Sequence, residues 1–471
     1  MKIKFGLEYP TMSYIARICG GELYNLTDLG DYAPSYLCTD SREADENTVF
    51  VAMKGERTDG HDYIQRAIEQ KCRAVICERI PDGIHTDKAI FAVVSDSVKS
   101  LGALTCAYRE QKPLPTLAIT GSYGKTTTKE LASKILSHKS KSYSTKGNFN
   151  SVIGMPLSLL EAESDCESAV FEMGMSGFGE ISSMSLTARP KVAIITNVGS
   201  SHLEYLGTRE NIARAKLEIA DGLEKGGYLV LNGDEPLLRK ISPNNKNCKI
   251  LYFGIKNAES CQAYAKNIRV NGNGTEFDLH FDGKIYKDLR INLIGEHFVY
   301  NASFAAIGSL LLGADVCDLK EGLASYYPTG YRNNLERING ITVLADCYNS
   351  APESVKGAVN TLALLKAEGK RVALLGDMLE LGEQTKSLHF ELGRYLVGKI
   401  DCLYTVGTLA EEIARGAIEG GFDKDNVFSQ TESDDITDFT IQIKNNLNSG
   451  DAILIKASRG MKFERFIEAL K

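Results

Sequence analysis

Short apolar runs alternate with longer amphipathic segments in the last third of the chain. The apolar runs read ITVLAD, RVALLGD, CLYTVG and AILIKAS, and the segments between them include PESVKGAVNTLALLKAEG, SLHFELGRYLVG and AEEIARGAIEGG. Strand-like runs that alternate with helical segments are typical of βαβ units with a parallel sheet. The pattern therefore predicts that residues 327–471 form a doubly wound, Rossmann-like α/β domain.

Two further blocks precede this domain. Residues 1–111 contain the strand-like runs VFVAMKG and RAVICE on either side of the helical segment DYIQRAIEQ, and they end at QKPLP, whose prolines mark a linker. Residues 112–326 open with the buried run LAIT and end at YYPTG, where a proline and a glycine mark the second boundary. We therefore predict an α/β protein of three domains, in which the central domain has a parallel sheet.

The composition is that of a globular protein without a nucleic-acid surface. The 471 residues are 43% apolar and 24% charged, and 54 basic against 61 acidic side chains give a net charge of −7. A mildly acidic chain without a basic block argues against nucleic acids and anionic membranes as partners. We expect small-molecule substrates and a monomer.

The cysteines and the lengths of the apolar segments indicate the cellular compartment of the protein. Eleven cysteines without a C-x-x-C pair favour reduced thiols over disulfides or structural zinc. The N-terminal segment has no apolar run long enough for a signal peptide. The longest apolar stretch, near residues 304–312, is far shorter than the ~20 residues that span a bilayer. These features predict a cytoplasmic protein without a membrane segment.

A glycine-rich turn follows the first apolar run of the second block. Its sequence is TGSYGKTTT, residues 120–128, and it leads directly into a helical segment. Such a turn aims backbone N–H groups at phosphate oxygens, with Lys125 on the phosphates and Thr126 on Mg²⁺. The pattern G-x-x-x-x-G-K-[ST] would need glycine in place of Ile119, so this loop is shorter, and an ordinary strand–turn–helix junction is the alternative. We predict a nucleotide site made by Gly121, Ser122, Gly124, Lys125, Thr126 and Thr127.

Two polar side chains follow the next buried runs. Glu172 ends the run AVFE, and His202 comes shortly after VAIITNVG. Because parallel strands end at the ligand-binding edge of an α/β sheet, both would lie beside the glycine-rich turn. A carboxylate oxygen suits Mg²⁺, and His202 indicates a second metal position. A solvated glutamate and a structural histidine are the alternatives.

Lys216 lies on the apolar face of the helical segment 209–223. Ile212 and Ile219 flank it at positions i−4 and i+3. In one interpretation the lysine packs its stem along the core and extends its charge to solvent. In the other it is a buried amine with a lowered pKa, which CO₂ converts into an anionic metal ligand. The spacing alone favours the first interpretation.

Three motifs of the last block follow predicted strands. They are DCYNSAP, LLGDMLELG and KASRGM, beginning at residues 346, 374 and 456. All three would lie at the C-terminal ends of parallel strands, where open sheets bind ligands. None of them has the G-x-G-x-x-G pattern of a dinucleotide-binding turn, so the sequence argues against a nicotinamide-dependent dehydrogenase.

Taken in order, these motifs resemble those of the Mur ligase family, the ATP-dependent amide-forming ligases of peptidoglycan synthesis. The resemblance covers essentially the whole chain. The motifs of the last block are similar to those of the member that adds D-alanyl-D-alanine to UDP-N-acetylmuramoyl-tripeptide. The matching segments are TDSR with VFVAMKGERTDGHDYI in the first block, GSYGKTTTKE, GNFNSVIGMPLSLL, EMG, TNVGSSHLEYLG and ARAKLEIADG in the second, and DCYNSAPES, LLGDMLELG and KASRGM in the third.

The resemblance implies roles for individual residues. Lys125, His202 and Lys216 would act in catalysis, with Lys216 carbamylated. Two Mg²⁺ ions would be held by Thr126, Glu172, His202 and the modified lysine. ATP would also contact Asn301, Arg332 (Arg337 is the alternative) and Asp346, and the other substrates would contact Ser41, Arg42, Asn148, Asn150 and Asn349. The chain departs from the family pattern at Tyr123, Ala351 and Ala457.

The implied reaction is amide formation through an acyl phosphate. Residues 1–111 would bind the UDP-sugar-peptide, residues 112–326 would bind ATP, and residues 327–471 would close on them with the amine. The products would be UDP-N-acetylmuramoyl-pentapeptide, ADP and phosphate. A related Mur-type ligase with another amine, a folate polyglutamate ligase, and a nucleotide-driven switch that hydrolyses ATP without ligation are the alternatives. Diaminopimelate and lysine are both open as the third residue of the acceptor peptide.

Overall fold

Three β-sheets, each formed by a consecutive part of the chain, organise the molecule. The structure is a computed structural model that describes residues 1–26, 30–55, 58–84, 86–245, 247–431 and 436–471. Each sheet has helices on its faces, so the predicted class, a three-domain α/β protein, is confirmed.

The first domain contains a sheet of six described strands. They are β1 (Lys2–Lys4), β2 (Glu22–Tyr24), β3 (Tyr36–Cys38), β4 (Thr48–Val51), β5 (Ala74–Cys77) and β6 (Ile90–Val93). In the order β1-β3-β4-β5-β6-β2, the strands from β3 to β6 are parallel, whereas β1 and β2 are antiparallel edges. The α-helices Met12–Cys19, Ile64–Glu69 and Ser97–Gln111 accompany the sheet.

The central domain contains a mixed sheet of nine described strands in the order β15-β14-β13-β12-β11-β10-β7-β9-β8. They are β7 (Thr116–Thr120), β8 (Ser142–Ser144), β9 (Ser168–Glu172), β10 (Val192–Ile195), β11 (Tyr228–Asn232), β12 (Lys249–Gly254), β13 (Ala263–Asn271), β14 (Gly274–Phe281) and β15 (Lys284–Ile291). The helices are Lys125–Lys139, Gly154–Leu160, Glu180–Ala188, Leu203–Leu206, Arg209–Leu217, Pro236–Lys240, His297–Leu311 and Val316–Ala324.

The two sides of this sheet pair differently. From β8 to β13 the neighbouring strands are parallel, as predicted, but β13, β14 and β15 form an antiparallel ribbon that the sequence analysis did not predict. The turn between β14 and β15 explains the ribbon. Asp282 and Gly283 both have positive φ, 52° and 69°, which is the backbone of a tight hairpin turn and which the dipeptide Asp-Gly favours.

The helices Lys125–Lys139 and His297–Leu311 cover one face of the central sheet. Leu117, Ile119 and Ile194 of the parallel strands belong to the core that these helices bury. Alternate residues of the same strands point to the opposite face, since strand side chains have a period of two. That second face shares one continuous core with the first domain. The central sheet therefore lies between two packed layers.

The third domain contains a sheet of six described strands. They are β16 (Asn334–Ile338), β17 (Ile341–Ala345), β18 (Arg371–Gly376), β19 (Cys402–Val406), β20 (Val427–Gln430) and β21 (Ala452–Lys456). The order is β16-β17-β21-β18-β19-β20, parallel except for the hairpin of β16 and β17, which confirms the doubly wound fold. The helices are Pro352–Leu364, Thr385–Leu396, Glu411–Glu419, Thr437–Asn446 and Glu464–Leu470.

Two further predictions can be compared with the helices. The predicted helical segment 209–223 is an α-helix over Arg209–Leu217 and continues as a tighter 3₁₀ turn over Glu218–Ala220. Among the residues that the structure describes, no helix combines the length and the apolar character needed to cross a bilayer.

Candidate active site

The turn between β7 and the helix Lys125–Lys139, residues 121–124, is called the phosphate loop below. Gly121 and Gly124 have φ values of 154° and 77°, a region that favours glycine. A side chain at Gly121 would collide with Thr196 Oγ1, and a Cβ at Gly124 would lie 2.7 Å from Asn301 Oδ1. The two glycines therefore allow the tight turn, and Asn301 packs directly against it.

Asn197, shortly after β10, holds the phosphate loop in place. Its Oδ1 accepts the backbone N–H groups of Ser122 and Tyr123, each at 3.0 Å, and its Nδ2 donates to the carbonyl of Tyr123 at 2.9 Å. The amides of residues 125–127 begin the helix, and first-turn amides have no acceptor within a helix. An anion at this helix N-terminus would therefore be met by the amides of residues 125–127.

Lys125 folds back over the phosphate loop. Its Nζ donates to the carbonyls of Gly121 at 2.8 Å and Ser122 at 3.4 Å. Burial lowers the pKa of the Lys125 amine, the charge of Glu172 opposes this shift, and the charge of Arg332 adds to it.

Glu172 ends β9 as a buried carboxylate, only 3% exposed. Its Oε2 accepts a hydrogen bond from Thr126 Oγ1 and its Oε1 accepts one from Asn150 Nδ2, both at 2.8 Å. Both partners are neutral, and within the described part of the chain the carboxylate has no ion-pair partner. A buried charge without a counter-charge is costly, so the environment of Glu172 fits a cation.

The donor set at Thr126 and Glu172 suits Mg²⁺ in particular. A hydroxyl and a carboxylate are oxygen donors, and Mg²⁺ usually takes one or two protein ligands and fills its shell with water and phosphate oxygens. The described residues contain no group of three or more His, Cys, Asp or Glu side chains placed to hold a metal by themselves.

His202 follows β10 and begins the short helix Leu203–Leu206. It has a left-handed backbone with φ of 67°. Its Nδ1 lies 2.7 Å from Oε2 of Glu380, a residue of the third domain. Among the described residues, Nδ1 has no hydrogen-bond partner. His202 therefore lies where the central and third domains meet.

Lys216 is buried, 1% exposed, on the inner face of the helix Arg209–Leu217. Burial, and secondarily the nearby charge of Lys125, hold the pKa of its amine well below the usual range. The interpretation in which the charge reaches solvent is therefore wrong, because the stem and the amine are both enclosed. Among the described residues the amine makes no hydrogen bond or ion pair.

The third domain contributes a buried ion pair at the ends of β17 and β21. Lys456 Nζ lies 2.6 Å from Asp346 Oδ2 and also donates to the carbonyl of Asn349 at 2.8 Å. The other oxygen of Asp346 accepts the backbone N–H of Asn333 at 3.1 Å. The ion pair and its hydrogen bonds hold the start of the domain, residues 331–333, against the strand ends.

Arg332 lies in this same segment. Its guanidinium stacks over the Tyr348 ring, 3.5 Å from the ring centroid. Its charge lowers the pKa of Lys125, which lies in the central domain. Arg337, the alternative nucleotide contact, is exposed on β16 instead. The nucleotide contact of Arg332 stays a prediction.

The predicted substrate residues are distributed over all three domains. Asn150 bonds to Glu172, as described above, and Asn148 is exposed in the same segment. Asn349 is exposed beside the buried ion pair. Ser41 and Arg42 lie on a 3₁₀ turn of the first domain, where Arg42 is paired with Asp40 at 2.6 Å. Among the described contacts, none joins Ser41 or Arg42 to the phosphate loop.

The third domain contacts the loop that follows β10 at two points. Glu353, at the start of the helix Pro352–Leu364, accepts a hydrogen bond from Ser200 Oγ at 2.8 Å. Glu380 contacts His202, and its carbonyl accepts the backbone N–H of Glu204 at 3.2 Å. These contacts place the motifs beginning at residues 346 and 374 directly against the phosphate-loop edge of the central sheet.

Several residues of this site were not predicted from the sequence. Asn197 stands in TNVG, within one of the quoted motifs, and its position just after a buried strand is the local signal that could have identified it. Glu353 and Glu380 stand in DCYNSAPES and LLGDMLELG, but only the domain arrangement shows what they contact. His297, which packs against Gly357 of the third domain, had no local signal beyond the helix that it begins.

Comparisons with known proteins agree across the whole chain. A model described as "Mur ligase family, catalytic domain" matches residues 35–109, one described as "Mur ligase middle domain" matches residues 119–309, and one described as "Mur ligase, glutamate ligase domain" matches residues 332–459. UDP-N-acetylmuramoyl-tripeptide--D-alanyl-D-alanine ligase of Bacillus subtilis (strain 168) is 37% identical over 436 residues, which are 92% of each chain.

Solved structures show the same similarity in three dimensions. A crystal structure of MurF from Acinetobacter baumannii superposes with a TM-score of 0.87 at 30% identity and covers 99% of each chain. The crystal structure of MurF ligase from Thermotoga maritima in complex with ADP has a TM-score of 0.80 at 31% identity, covering 92% of this chain and 96% of the other.

Proposed function

Because the chain belongs to the Mur ligase family, we propose that it is an ATP-dependent ligase that joins D-alanyl-D-alanine to UDP-N-acetylmuramoyl-tripeptide. The observation that carries the proposal is the contact between the third-domain motifs and the phosphate-loop edge. A ligase has to bring an amine to a carboxylate that has been activated at the nucleotide, and a third domain that binds the amine would meet it at this edge. The Bacillus subtilis relative carries this activity in its name, and the third-domain motifs are present in this chain.

The residues of the central domain suit the first half-reaction. Bound ATP and Mg²⁺ would supply the transferred phosphoryl group and neutralise its charge. Lys125 and the first-turn amides of residues 125–127 would hold the triphosphate, and Thr126 with Glu172, which are hydrogen-bonded to each other, would hold the metal. Asn301 packs on the phosphate loop and would contact the adenine of bound ATP. The carboxylate of the tripeptide, bound through the first domain, then lies at the reacting phosphate.

The residues of the third domain suit the second half-reaction. Arg332, stacked on Tyr348, and Asp346, paired with Lys456, would close over the nucleotide, and the loops after β17 and β18 would line the position from which an amine attacks. Holding the amine and the activated carbonyl together replaces an encounter in solution by a reaction within one complex. The amide forms, phosphate leaves, and opening of the domain releases the product.

Carbamylation of Lys216 is part of the proposal. The amine is buried, has a strongly lowered pKa and lies near Lys125. A neutral amine reacts with CO₂, whereas an ammonium ion does not, and the carbamate would add an anion beside Glu172 and His202 where a second Mg²⁺ would bind. After incubation with ¹³C-bicarbonate, a carbamate resonance is expected in the wild type and not in Lys216→Ala. Loss of activity in Lys216→Ala without any rescue by short-chain carboxylates, together with no carbamate resonance in the wild type, would contradict this part.

A cytoplasmic location is also part of the proposal. None of the eleven cysteines forms a disulfide in the structure. Burial raises the pKa of nine of their thiols. Unpaired thiols are typical of a reducing compartment.

Release of ADP tests the function directly. With ATP, Mg²⁺, UDP-N-acetylmuramoyl-tripeptide and D-alanyl-D-alanine together, we expect rapid release and a product whose mass equals the two substrates less one water. Omission of either substrate should stop the release, whereas a nucleotide-driven switch would continue. Free diaminopimelate, lysine or glutamate should replace the dipeptide poorly, because a site built for the extra amide leaves its polar groups unpaired with a single amino acid. Efficient use of a single amino acid would identify a related ligase instead.

A further inference from the structure

The loop that follows β18, residues 377–384, is called the β18 loop below. His389, on the helix Thr385–Leu396 that comes next, is completely buried. Its Nε2 accepts the backbone N–H of Met378 at 2.9 Å, and its Nδ1 donates to the carbonyl of Thr385 at 2.7 Å. Met378 stands at the start of the β18 loop and Thr385 directly after its end, so one side chain joins both ends of the loop.

The chemistry of these two partners fixes the form of the ring. A carbonyl oxygen only accepts, so Nδ1 carries the proton, and a backbone N–H only donates, so Nε2 presents a lone pair. Burial lowers the pKa of His389, more than its hydrogen bond to Thr385 and the charges of Asp377 and Glu412 raise it. The neutral ring therefore uses both of its nitrogens at the two ends of the β18 loop.

Two other side chains hold the first residues of the β18 loop. Asp377 Oδ1 accepts the backbone N–H groups of residues 409 and 410 at 3.1 and 2.7 Å. Ser458 Oγ accepts the backbone N–H of Leu379 at 3.0 Å. These bonds act only at the start of the loop, whereas the histidine also reaches its end.

The middle of the β18 loop docks on the central domain. The carbonyl of Glu380 accepts the backbone N–H of Glu204 at 3.2 Å. Glu204 is in the first turn of the helix Leu203–Leu206, where an amide has no acceptor within its own helix. A Cβ at Gly382 would lie 3.1 Å from Glu204 Cα, and Thr385 Oγ1 donates to the carbonyl of Gly382 at 2.6 Å. The third domain therefore supplies the acceptor that this helix lacks, from the stretch of loop that the histidine spans.

We propose that His389 is a positioning residue, which holds the β18 loop in the shape that docks on the helix Leu203–Leu206. A loop that is ordered before it docks loses less conformational freedom on docking, so the contact is stronger. Release of the ring would leave Glu380 and Gly382 on a loop held mainly at its start, and the hydrogen bond from Glu204 would weaken. The consequence for catalysis rests on the proposed function, because docking keeps the third domain at the edge where the activated carboxylate would lie.

Hydrogen exchange of the Glu204 amide tests the inference, because this N–H reports on docking and lies in a different domain from His389. His389→Phe keeps a planar ring in the buried position and removes both hydrogen bonds, whereas His389→Gln keeps one donor and one acceptor. Leu396→Ala is the matched control. Leu396 is buried at the far end of the same helix, and its truncation loosens the core of the third domain but removes none of the hydrogen bonds of the β18 loop. Exchange is followed by NMR for each amide, with the amides of β11 as the reference within the central domain.

We expect His389→Phe to accelerate exchange of the Glu204 amide about tenfold, the effect of losing one or two hydrogen bonds of ordinary strength, while the amides of β11 stay unchanged. His389→Gln should recover part of the protection, and Leu396→Ala should match the wild type at Glu204. Unchanged exchange at Glu204 in a folded His389→Phe protein would overturn the inference. An equal acceleration in Leu396→Ala would overturn it as well, because general loosening of the third domain would then be the cause.

The wild type provides a second measurement, which holds even where His389→Phe does not fold. If docking needs the shape of the loop, each opening at Met378 also undocks it, so the Glu204 amide cannot be more strongly protected than the Met378 amide. Clearly stronger protection at Glu204 would contradict the inference. The kcat of ADP release should fall in His389→Phe and stay at the wild-type value in Leu396→Ala. Exchange needs no ligase substrates, so failure of the proposed function shows separately, as a wild type without substrate-dependent ADP release.

Discussion

The buried ion pair of Lys456 and Asp346 provides a quantitative test of the third domain. Lys456 is 2% exposed and Asp346 is 7% exposed. The ammonium serves three acceptors, Asp346 Oδ2 at 2.6 Å, the carbonyl of Asn349 at 2.8 Å and the carbonyl of Asp346 at 3.3 Å. Lys456→Met keeps most of the side-chain volume and removes the charge. It leaves a buried carboxylate without a counter-charge and three acceptors without their donor.

Removal of one partner of a buried ion pair costs about 3–5 kcal/mol, mainly because the remaining charge stays desolvated. For a domain of this size, each kcal/mol lowers the melting temperature by roughly 2–4 °C. We therefore expect Lys456→Met to lower the unfolding transition of the third domain by roughly 10 °C. Scanning calorimetry of the whole chain measures this shift and compares it with the transitions of the other two domains.

The double variant Asp346→Asn with Lys456→Met tests the stated cause. If the cost comes from the uncompensated carboxylate, neutralising Asp346 as well should restore most of the lost stability, because a pair of neutral side chains needs no counter-charge. Asp346→Asn alone should cost less than Lys456→Met alone. A Lys456→Met protein with an unchanged transition would refute the reasoning, and so would a double variant that is no more stable than Lys456→Met.

Three further predictions follow from the site. Lys125→Ala should abolish ADP release while the unfolding transitions stay unchanged, since the amine bonds only to carbonyls of its own loop. Calorimetry and the ADP assay on the same sample check this. A folded, active variant would contradict the prediction that Lys125 binds the nucleotide. Gly124→Ala should weaken ATP binding, measured by calorimetric titration, because its Cβ would lie 2.7 Å from Asn301 Oδ1. Burial, and then the charge of Lys456, lower the pKa of His297 from 6.5 to about 4. The folded state therefore holds fewer protons than the unfolded state between these values, so stability is complete above pH 6.5 and falls as the pH drops to 4, by at most about 3 kcal/mol. The free energy of unfolding by urea should differ less between pH 7.5 and pH 5 for His297→Gln than for the wild type. An equal difference would contradict the assignment of this pH dependence to His297.

Local patterns were sufficient for the elements that carry the chemistry. The alternation of apolar runs and amphipathic segments predicted the third domain, because strands and helices bury faces with different periods. The glycines and the lysine after LAIT predicted the phosphate loop, because the turn and the helix start need those residue types. The antiparallel ribbon of β13–β15 was missed, although the dipeptide Asp282-Gly283 was a local hairpin signal.

The candidate site was predictable only in part, because local patterns locate a residue on its strand or helix but do not give its contacts with distant segments. That Glu172 and His202 lie at strand ends follows from sequence order, since parallel strands end at one edge of the sheet. That Glu172 is bonded to Thr126 and Asn150 does not, because these residues are brought together by strand pairing and by helix packing. The roles predicted for Ser41, Arg42, Asn148 and Asn349 stay predictions, as do the domain boundaries at residues 111 and 326.

The sequence by itself determined which residues form strands, turns and helices around the nucleotide, because those choices depend on neighbours a few positions away. Tertiary structure alone decided which charges meet. Lys456 and Asp346 are 110 residues apart in the chain and form one buried pair. Glu380 reaches His202 only because the third domain packs against the loop after β10. Contacts between distant segments depend on how whole sheets are arranged, and that arrangement is set by burial of the shared cores and not by any local pattern.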